Sequence, residues 1–385
     1  SWTKRCSLPE VGILRVLDFF GGIYTINKHF IIVAAMSGAL VALISKGIQD
    51  TYVLNPTKYK ASYKRFTDFS QAVHRLPVSG SIVAGGTSEV EVIFKGDVIN
   101  AMWLEVPNEN NTLDGTEFEL YIGGKLVDTI TYDYCVDIWS VYLAENRSKA
   151  TVINNAISTS DVTFFPLHFF FCDYDNFLPL VALSNTSVSV RIKWGNSSNL
   201  SSNLKVFGNF IFLSEDTRLQ MVKGVKEFFV TQVQKLTLSE SSGTMSADLS
   251  SLNHPIKYLF WGHPSKSDEL DKDYFSFKDA KISINGLDIM DSMSPSYYHT
   301  VQSYYNNSNA LINFVNSVNC PFYTRFFIYN FGKSCCNFSR LDSASLTLTD
   351  VTRGTDRTNE KLYVYAVGYN VLKITAGLAG ILFSN

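Results

Sequence analysis

The chain has few cysteines for its length, six in 385 residues, and no two of them stand at CxxC spacing. Zinc-ribbon and thioredoxin-type chemistry therefore has no framework. Neither charge is in excess: 33 Lys and Arg face 35 Asp and Glu, for a net charge of −2. A domain that grips nucleic acid usually carries a basic footprint, with a pI above about 9, so direct contact with a genome is not expected. No HExxH or GxSxG occurs, which removes the zinc-protease and nucleophile-elbow patterns. Gly85-Gly86 and Gly123-Gly124 lack the lysine and following helix of a phosphate loop.

The remaining candidate residues are scattered. His29, His74, His168, His254, His263 and His299 show no metal-ligand spacing. His168 alternates with bulky aromatics and reads as a packed residue. Asp173 and Asp175 resemble a paired-carboxylate site of the glycosidase type, but a CDYDN segment is explained by turn chemistry. Vicinal Cys335-Cys336 reads as two reduced thiols in a reducing compartment, with a strained disulfide as the alternative. Seven N-x-S/T triplets, starting at Asn110, Asn146, Asn185, Asn196, Asn199, Asn306 and Asn337, mark glycosylation only in a secreted chain. Expected catalytic, cofactor and metal residues are none.

What is present is aromatic and repetitive. The 28 Phe and 20 Tyr favour sheet, where flat rings pack on a pleated surface. Leu120-Tyr121-Ile122-Gly123-Gly124 returns as Ile282-Ser283-Ile284-Asn285-Gly286, and Ser187-Val188-Ser189-Val190 as Ser345-Leu346-Thr347-Leu348. Val206-Phe207-Gly208-Asn209 returns as Val367-Gly368-Tyr369-Asn370, and Pro166 as Pro321. All four matches keep chain order at an offset of about 160 residues, which marks a duplicated domain, since solenoid periods run from roughly 20 to 50. Strands are expected over 81–94, 98–106, a hairpin over 118–131, and 162–172, 188–194 and 205–213. A short surface helix is expected over 134–146 and a linker over 214–226. Strands over 228–238, 256–261, 279–284, 322–329, 344–349 and 362–374 repeat the scheme, with polar loops at 306–319 and 351–361. Many short strands at regular spacing predict an all-β protein of two consecutive eight-stranded jelly-roll sandwiches. The expected division is 1–50 as an N-terminal extension and base helix, 51–217 as the first jelly roll and 218–385 as the second.

Phe30 to Ser45 is a run of sixteen apolar or small residues, short of the roughly 20 that span a bilayer. Three readings stand: a marginal anchor, an interfacial helix, or a helix against the protein's own base. Met36, Leu40, Leu43, Ile44 and Ile48 fall near one helical face.

Several motifs carry a family resemblance. Ser37-Gly38-Ala39-Leu40, Lys46-Gly47-Ile48-Gln49-Asp50, Asn55-Pro56 and Tyr63-Lys64-Arg65-Phe66-Thr67-Asp68-Phe69 come first. Phe165-Pro166-Leu167 and Leu178-Pro179-Leu180-Val181-Ala182-Leu183 follow. Asn253-His254-Pro255-Ile256-Lys257-Tyr258-Leu259-Phe260-Trp261 and Cys336-Asn337-Phe338-Ser339-Arg340-Leu341-Asp342 lie in the second half. Tyr369-Asn370-Val371-Leu372-Lys373-Ile374 and Gly377-Leu378-Ala379-Gly380 close the set. In this order they resemble the double jelly-roll major capsid proteins of nucleocytoplasmic large DNA viruses, of the phycodnavirus and iridovirus type.

The resemblance implies a non-enzymatic shell protein with no cofactor. It implies a homotrimer whose six rolls form a pseudo-hexameric capsomer of an icosahedral virion capsid, assembled in the host cytoplasm. The implied partners are further copies, minor capsid proteins and an internal viral membrane met through residues 36–49. Family members run longer, so outward loops should be short and a divergent or minor paralogue is also compatible. Residues 1–35 have no counterpart, and Met36-Ser37-Gly38 looks like a family start. The rival reading is a carbohydrate-binding or carbohydrate-active β-sandwich; a membrane-associated minor capsid component is a third.

Overall fold

The computed structural model describes residues 69–107, 113–154, 162–172, 176–196, 198, 200, 203–238, 244–264, 274–306, 326–332, 335–354 and 361–383. The chain separates into units 1–70 and 71–385, and the account below concerns the second, into which the first strand leads. The expected base helix over 36–49, Asp173, Asp175, Pro321 and most of the 306–319 loop lie outside the described residues.

Alternation of inward apolar and outward polar residues builds the first roll. Its strands are β1 (Phe69–Leu76), β2 (Thr87–Glu91), β3 (Val98–Pro107), β4 (Glu117–Ile122), β5 (Lys125–Thr131), β6 (Val162–Pro166), β7 (Val188–Lys193) and β8 (Lys205–Leu213). They form two sheets, ordered β1-β8-β3-β6 and β2-β7-β4-β5, the latter extended by Val78–Gly80 beside β2. The second roll contains β9 (Val225–Leu238), β10 (Thr244–Asp248), β11 (Pro255–Gly262), β12 (Asp279–Ile284), β13 (Leu287–Asp288), β14 (Phe326–Asn330), β15 (Ala344–Thr349) and β16 (Leu362–Thr375). Its sheets run β9-β16-β11-β14 and β10-β15-β12-β13. Each strand of the first roll thus has its counterpart eight strands later, in the same place. Apart from the β4-β5 and β12-β13 hairpins, consecutive strands alternate between facing sheets, which is the jelly-roll winding.

The duplicated turns agree in detail. Gly123 and Gly124 have φ of 62° and 73°, and Asn285 and Gly286 have 50° and 77°. Both turns need two positive φ values, which explains Gly or Asn at each position. Elsewhere the repeat is real but slipped. Ile122 pairs with Val188 and Ile284 with Ala344, so Val190 corresponds to Leu346, two residues from the expected Leu348. An even slip keeps the same face inward. β3 and β11 each carry a bulge, between Ile99 and Ala101 and between Ile256 and Tyr258. Aligned on those bulges, Val206 corresponds to Val364, not Val367.

Three local expectations need correction. Residues 81–94 are not one strand: Gly85 adopts φ 70° and the Gly86 N–H donates to the Val83 carbonyl at 2.9 Å, so β2 starts only at Thr87. The aromatic strand stops at Pro166, beyond which Phe169, Phe170 and Phe171 turn into the core. The surface helix is α1 (Tyr134–Leu143), wound as a π-helix, and Tyr134, Cys135, Ile138, Ser140 and Tyr142 on it are buried. A short α2 (Arg147–Asn154) follows. The linker does form a helix, α3 (Glu215–Val222), with no buried residue. In the second roll a π-helical turn, Tyr297–Val301, runs into α4 (Gln302–Asn306).

Val190, Ile192, Leu120 and Phe118 lie in one core, and Ile282, Leu346, Leu348 and Trp261 in another. Each such side chain contributes on the order of 1.5–3 kcal/mol. β16 is buried on both faces: Leu362, Val364 and Ala366 enter the second core, whereas Tyr365 and Val367 pack with the first.

Candidate assembly surface

The rolls meet along a polar-laced seam. The Tyr142 hydroxyl, on α1, donates to the Phe326 carbonyl at 2.6 Å and lies 2.9 Å from His299 Nδ1. The Thr131 and Tyr365 hydroxyls are 3.1 Å apart. Asp128 Oδ1 accepts from the Val233 N–H across the seam and from its neighbour Thr129, both at 2.9 Å. Gln232 donates to the Val127 carbonyl and accepts from Asn370 at 2.9 Å. A last short strand, β17 (Leu378–Ile381), pairs with β16. The turn before it reaches the first roll, where the Thr186 hydroxyl donates to the Gly377 carbonyl at 2.9 Å and accepts from the Ala379 N–H at 3.2 Å.

Three of the motifs that carried the family resemblance, at 253–261, 336–342 and 369–374, converge in space. His254, held at φ 70°, donates its N–H to Ser339 Oγ at 2.8 Å, and its carbonyl accepts from the Phe338 N–H at 3.0 Å. Asn337 accepts from the Ser339 N–H at 3.1 Å. Asn370 lies 3.5 Å from His254 Nε2 and donates to the Phe383 carbonyl at 2.9 Å. These residues hold loops together; none faces a reactive centre.

The other candidates also resolve into structure. His168 stacks on Trp139 with centroids 3.7 Å apart, and burial lowers its pKa to about 3. Cys135, Cys172, Cys335 and Cys336 are free thiols, and burial pushes the Cys135 thiol upward, away from the reactive thiolate. Asn146 accepts from the Lys149 N–H at 2.9 Å, ahead of α2. Among the described residues no group of three or more His, Cys, Asp or Glu could hold a metal ion, and no helix is long and apolar enough to cross a membrane. Asp128 had escaped notice, because it occupies a strand position that looks solvent-facing.

Large apolar side chains are left outside. Phe229 is 80% exposed, and Tyr304, Tyr305, Leu287 and Leu378 are mostly exposed as well. Exposed apolar side chains mark a contact surface where they form a contiguous patch. Two tandem jelly rolls, joined by a packed seam and carrying outward contact residues, define a double jelly-roll building block.

Residues 57–216 match the family described as the major capsid protein N-terminus, and residues 217–380 that described as the large eukaryotic DNA virus major capsid protein. The chain is 25% identical to the major capsid protein of Pyramimonas orientalis virus, across 91% of this chain and 100% of that one. It is 26% identical to that of Paramecium bursaria Chlorella virus 1, with the same coverage. Among solved structures, the PBCV-1 virus capsid superposes with a TM-score of 0.70 at 21% identity, over 86% of this chain and 100% of that one. The Faustovirus major capsid protein gives 0.60 at 9% identity, over 89% and 98%. The chain belongs to the major capsid protein family of large eukaryotic DNA viruses. Its role is structural and non-enzymatic, as a component of the virion capsid, and nothing in these likenesses speaks for the carbohydrate reading.

Proposed function

We propose that three copies of this chain form a ring of six similar rolls, the pseudo-hexameric capsomer of an icosahedral shell. The observation that carries this reading is the identical strand order of the two rolls. A trimer of such chains fills a hexagonal position with one polypeptide. The rolls are divided at residues 217/218, and the abutting family matches at 216 and 217 support that division. The exposed apolar residues are consistent with an obligate contact, which should bury more than roughly 2,000 Å². Sedimentation of the purified chain tests it: a stable trimer is expected, and a monomer at high concentration refutes it.

Minor capsid proteins and an internal membrane are the further inferred partners, with assembly in the host cytoplasm and no direct contact with nucleic acid. The apolar run from Phe30 to Ser45 and the near-neutral charge support these assignments. Deleting residues 1–49 should leave folded trimers that no longer bind liposomes; unchanged liposome binding counts against a membrane role for residues 36–49.

A further inference from the structure

We propose that the cavity between the two rolls is a binding site for an alkylammonium group. The cavity measures about 370 Å³ and opens at the junction of β5, α1, β9, β11 and β16, with Asp128, Trp139, Glu145, His168, Tyr258 and Tyr369 among its lining residues. Asp128 is only 4% exposed. Both of its hydrogen bonds fall on Oδ1, from Thr129 and Val233, which leaves Oδ2 as the carboxylate oxygen available to the cavity. His168 Nε2, on another lining residue, is buried with no hydrogen-bond partner. One buried, unpaired polar atom beside a carboxylate with an open oxygen is uncommon in a folded protein, where buried polar atoms are nearly always paired.

The chemistry of the walls selects the guest. A carboxylate with one open oxygen calls for a donor that carries positive charge. An ammonium supplies three N–H donors, and the aromatic wall already holds one cation, Lys257 Nζ over the Tyr258 ring, which shows that these rings suit positive charge. A metal ion fits poorly, since calcium takes six to eight oxygen ligands and magnesium an octahedral set.

The charges around the site leave Asp128 uncompensated. Glu145, exposed at the mouth, is paired with Lys149 at 2.7 Å. Lys257 lies with Nζ 4.9 Å from the Tyr258 ring centroid, at the rim of the aromatic wall, and has no ion pair with Asp128. Burial keeps His168 neutral down to about pH 3, so its ring does not repel a cation. Burial also raises Asp128 to about 7, so the site gains its negative charge as the pH rises through neutrality.

The test is calorimetric titration of the full chain with n-butylamine and 1,5-diaminopentane, near ~pH 8.5 and ~pH 5.5. Saturable binding is expected at the higher pH, weaker by roughly tenfold or more at the lower pH and in Asp128→Asn, because a charge-assisted hydrogen bond is lost. Lys257→Met should still bind, which separates the cavity from a site that this lysine fills for itself. Binding lost on assembly assigns the ammonium to a lysine of a neighbouring chain, and binding retained assigns it to a free amine. Equal affinity in wild type and Asp128→Asn, or no saturable binding at all, overturns the proposal. Thermal unfolding of each variant confirms that it is folded before titration.

Discussion

Tyr142 and His299 stand 157 residues apart in the chain and 2.9 Å apart in the fold, and the bond between them sets the histidine's tautomer. The Tyr142 hydroxyl has one proton and donates it to the Phe326 carbonyl. His299 must therefore donate from Nδ1. Burial lowers His299 to about 4, so the neutral ring persists at ordinary pH. The pair ties the helix after β5 to the corresponding helix of the second roll.

Replacing Tyr142 with Phe keeps the ring and removes both bonds. The Phe326 carbonyl and the His299 N–H then lose a buried partner, at a cost of roughly 1–3 kcal/mol. Urea unfolding of Tyr142→Phe should show this loss with little change in slope. A midpoint equal to wild type would mean that the seam gains nothing from this bond.

Asp128 should make stability depend on pH in a definite direction. Its folded pKa, raised by burial to about 7, lies above its ordinary value of 3.8. The folded state therefore holds a proton that the unfolded state gives up between those values. Stability from this group is fully present below about pH 4, falls as the pH rises toward 7, and is level above that. The total is on the order of a few kcal/mol. Asp128→Asn keeps an oxygen for the Thr129 and Val233 N–H groups and removes the charge. It should match wild type near ~pH 4 and exceed it near ~pH 8. Parallel stability curves for the two proteins would remove Asp128 from this role.

Alternating strands such as Val188–Lys193 and the paired turns at Gly123-Gly124 and Asn285-Gly286 were legible because both are local signals. β10 was not, since Thr-Met-Ser-Ala-Asp has only Met245 and Ala247 to bury and becomes a strand by pairing with β15. Asp128 was missed for the same reason. Its burial comes from a roll more than a hundred residues downstream, and no local pattern encodes that. One sign of the seam was present: β16 is apolar almost without a break, as a strand covered on both faces tends to be. The family motifs were recognisable, but the convergence of three of them on His254, Ser339 and Asn370 became visible only in the fold.

Gly195 is predicted to tolerate no side chain. A Cβ built there would lie 1.9 Å from the Asp114 carbonyl oxygen and 2.7 Å from the Gly115 carbonyl carbon. Both are backbone atoms and cannot rotate away. Gly195→Ala must displace the loop before β4, which should cost at least the roughly 1–3 kcal/mol typical of overpacking. Circular dichroism melts should show the loss. An unchanged melting temperature would mean that the two loops do not cross this closely.

Phe229 separates folding from assembly. It pairs with Val371 on the outer face of the second roll, whereas its neighbour Phe228 pairs with Leu372, which is buried in the core. Val371 in turn accepts from the Leu382 N–H at 2.8 Å, and Leu382 is itself about half exposed. The outer face thus sets Phe229 and Leu382 beside the exposed Glu227–Lys373 ion pair, while the inner face already has its packing. Phe229→Glu removes nothing from the core, so the monomer should keep its stability within about 0.5 kcal/mol. If the face meets a neighbouring chain, a buried Phe there contributes roughly 1.5–3 kcal/mol, and a glutamate in its place adds a desolvation cost. Sedimentation should then show folded monomers at concentrations where wild type is trimeric. Wild-type association by Phe229→Glu would place the trimer contact elsewhere on the molecule.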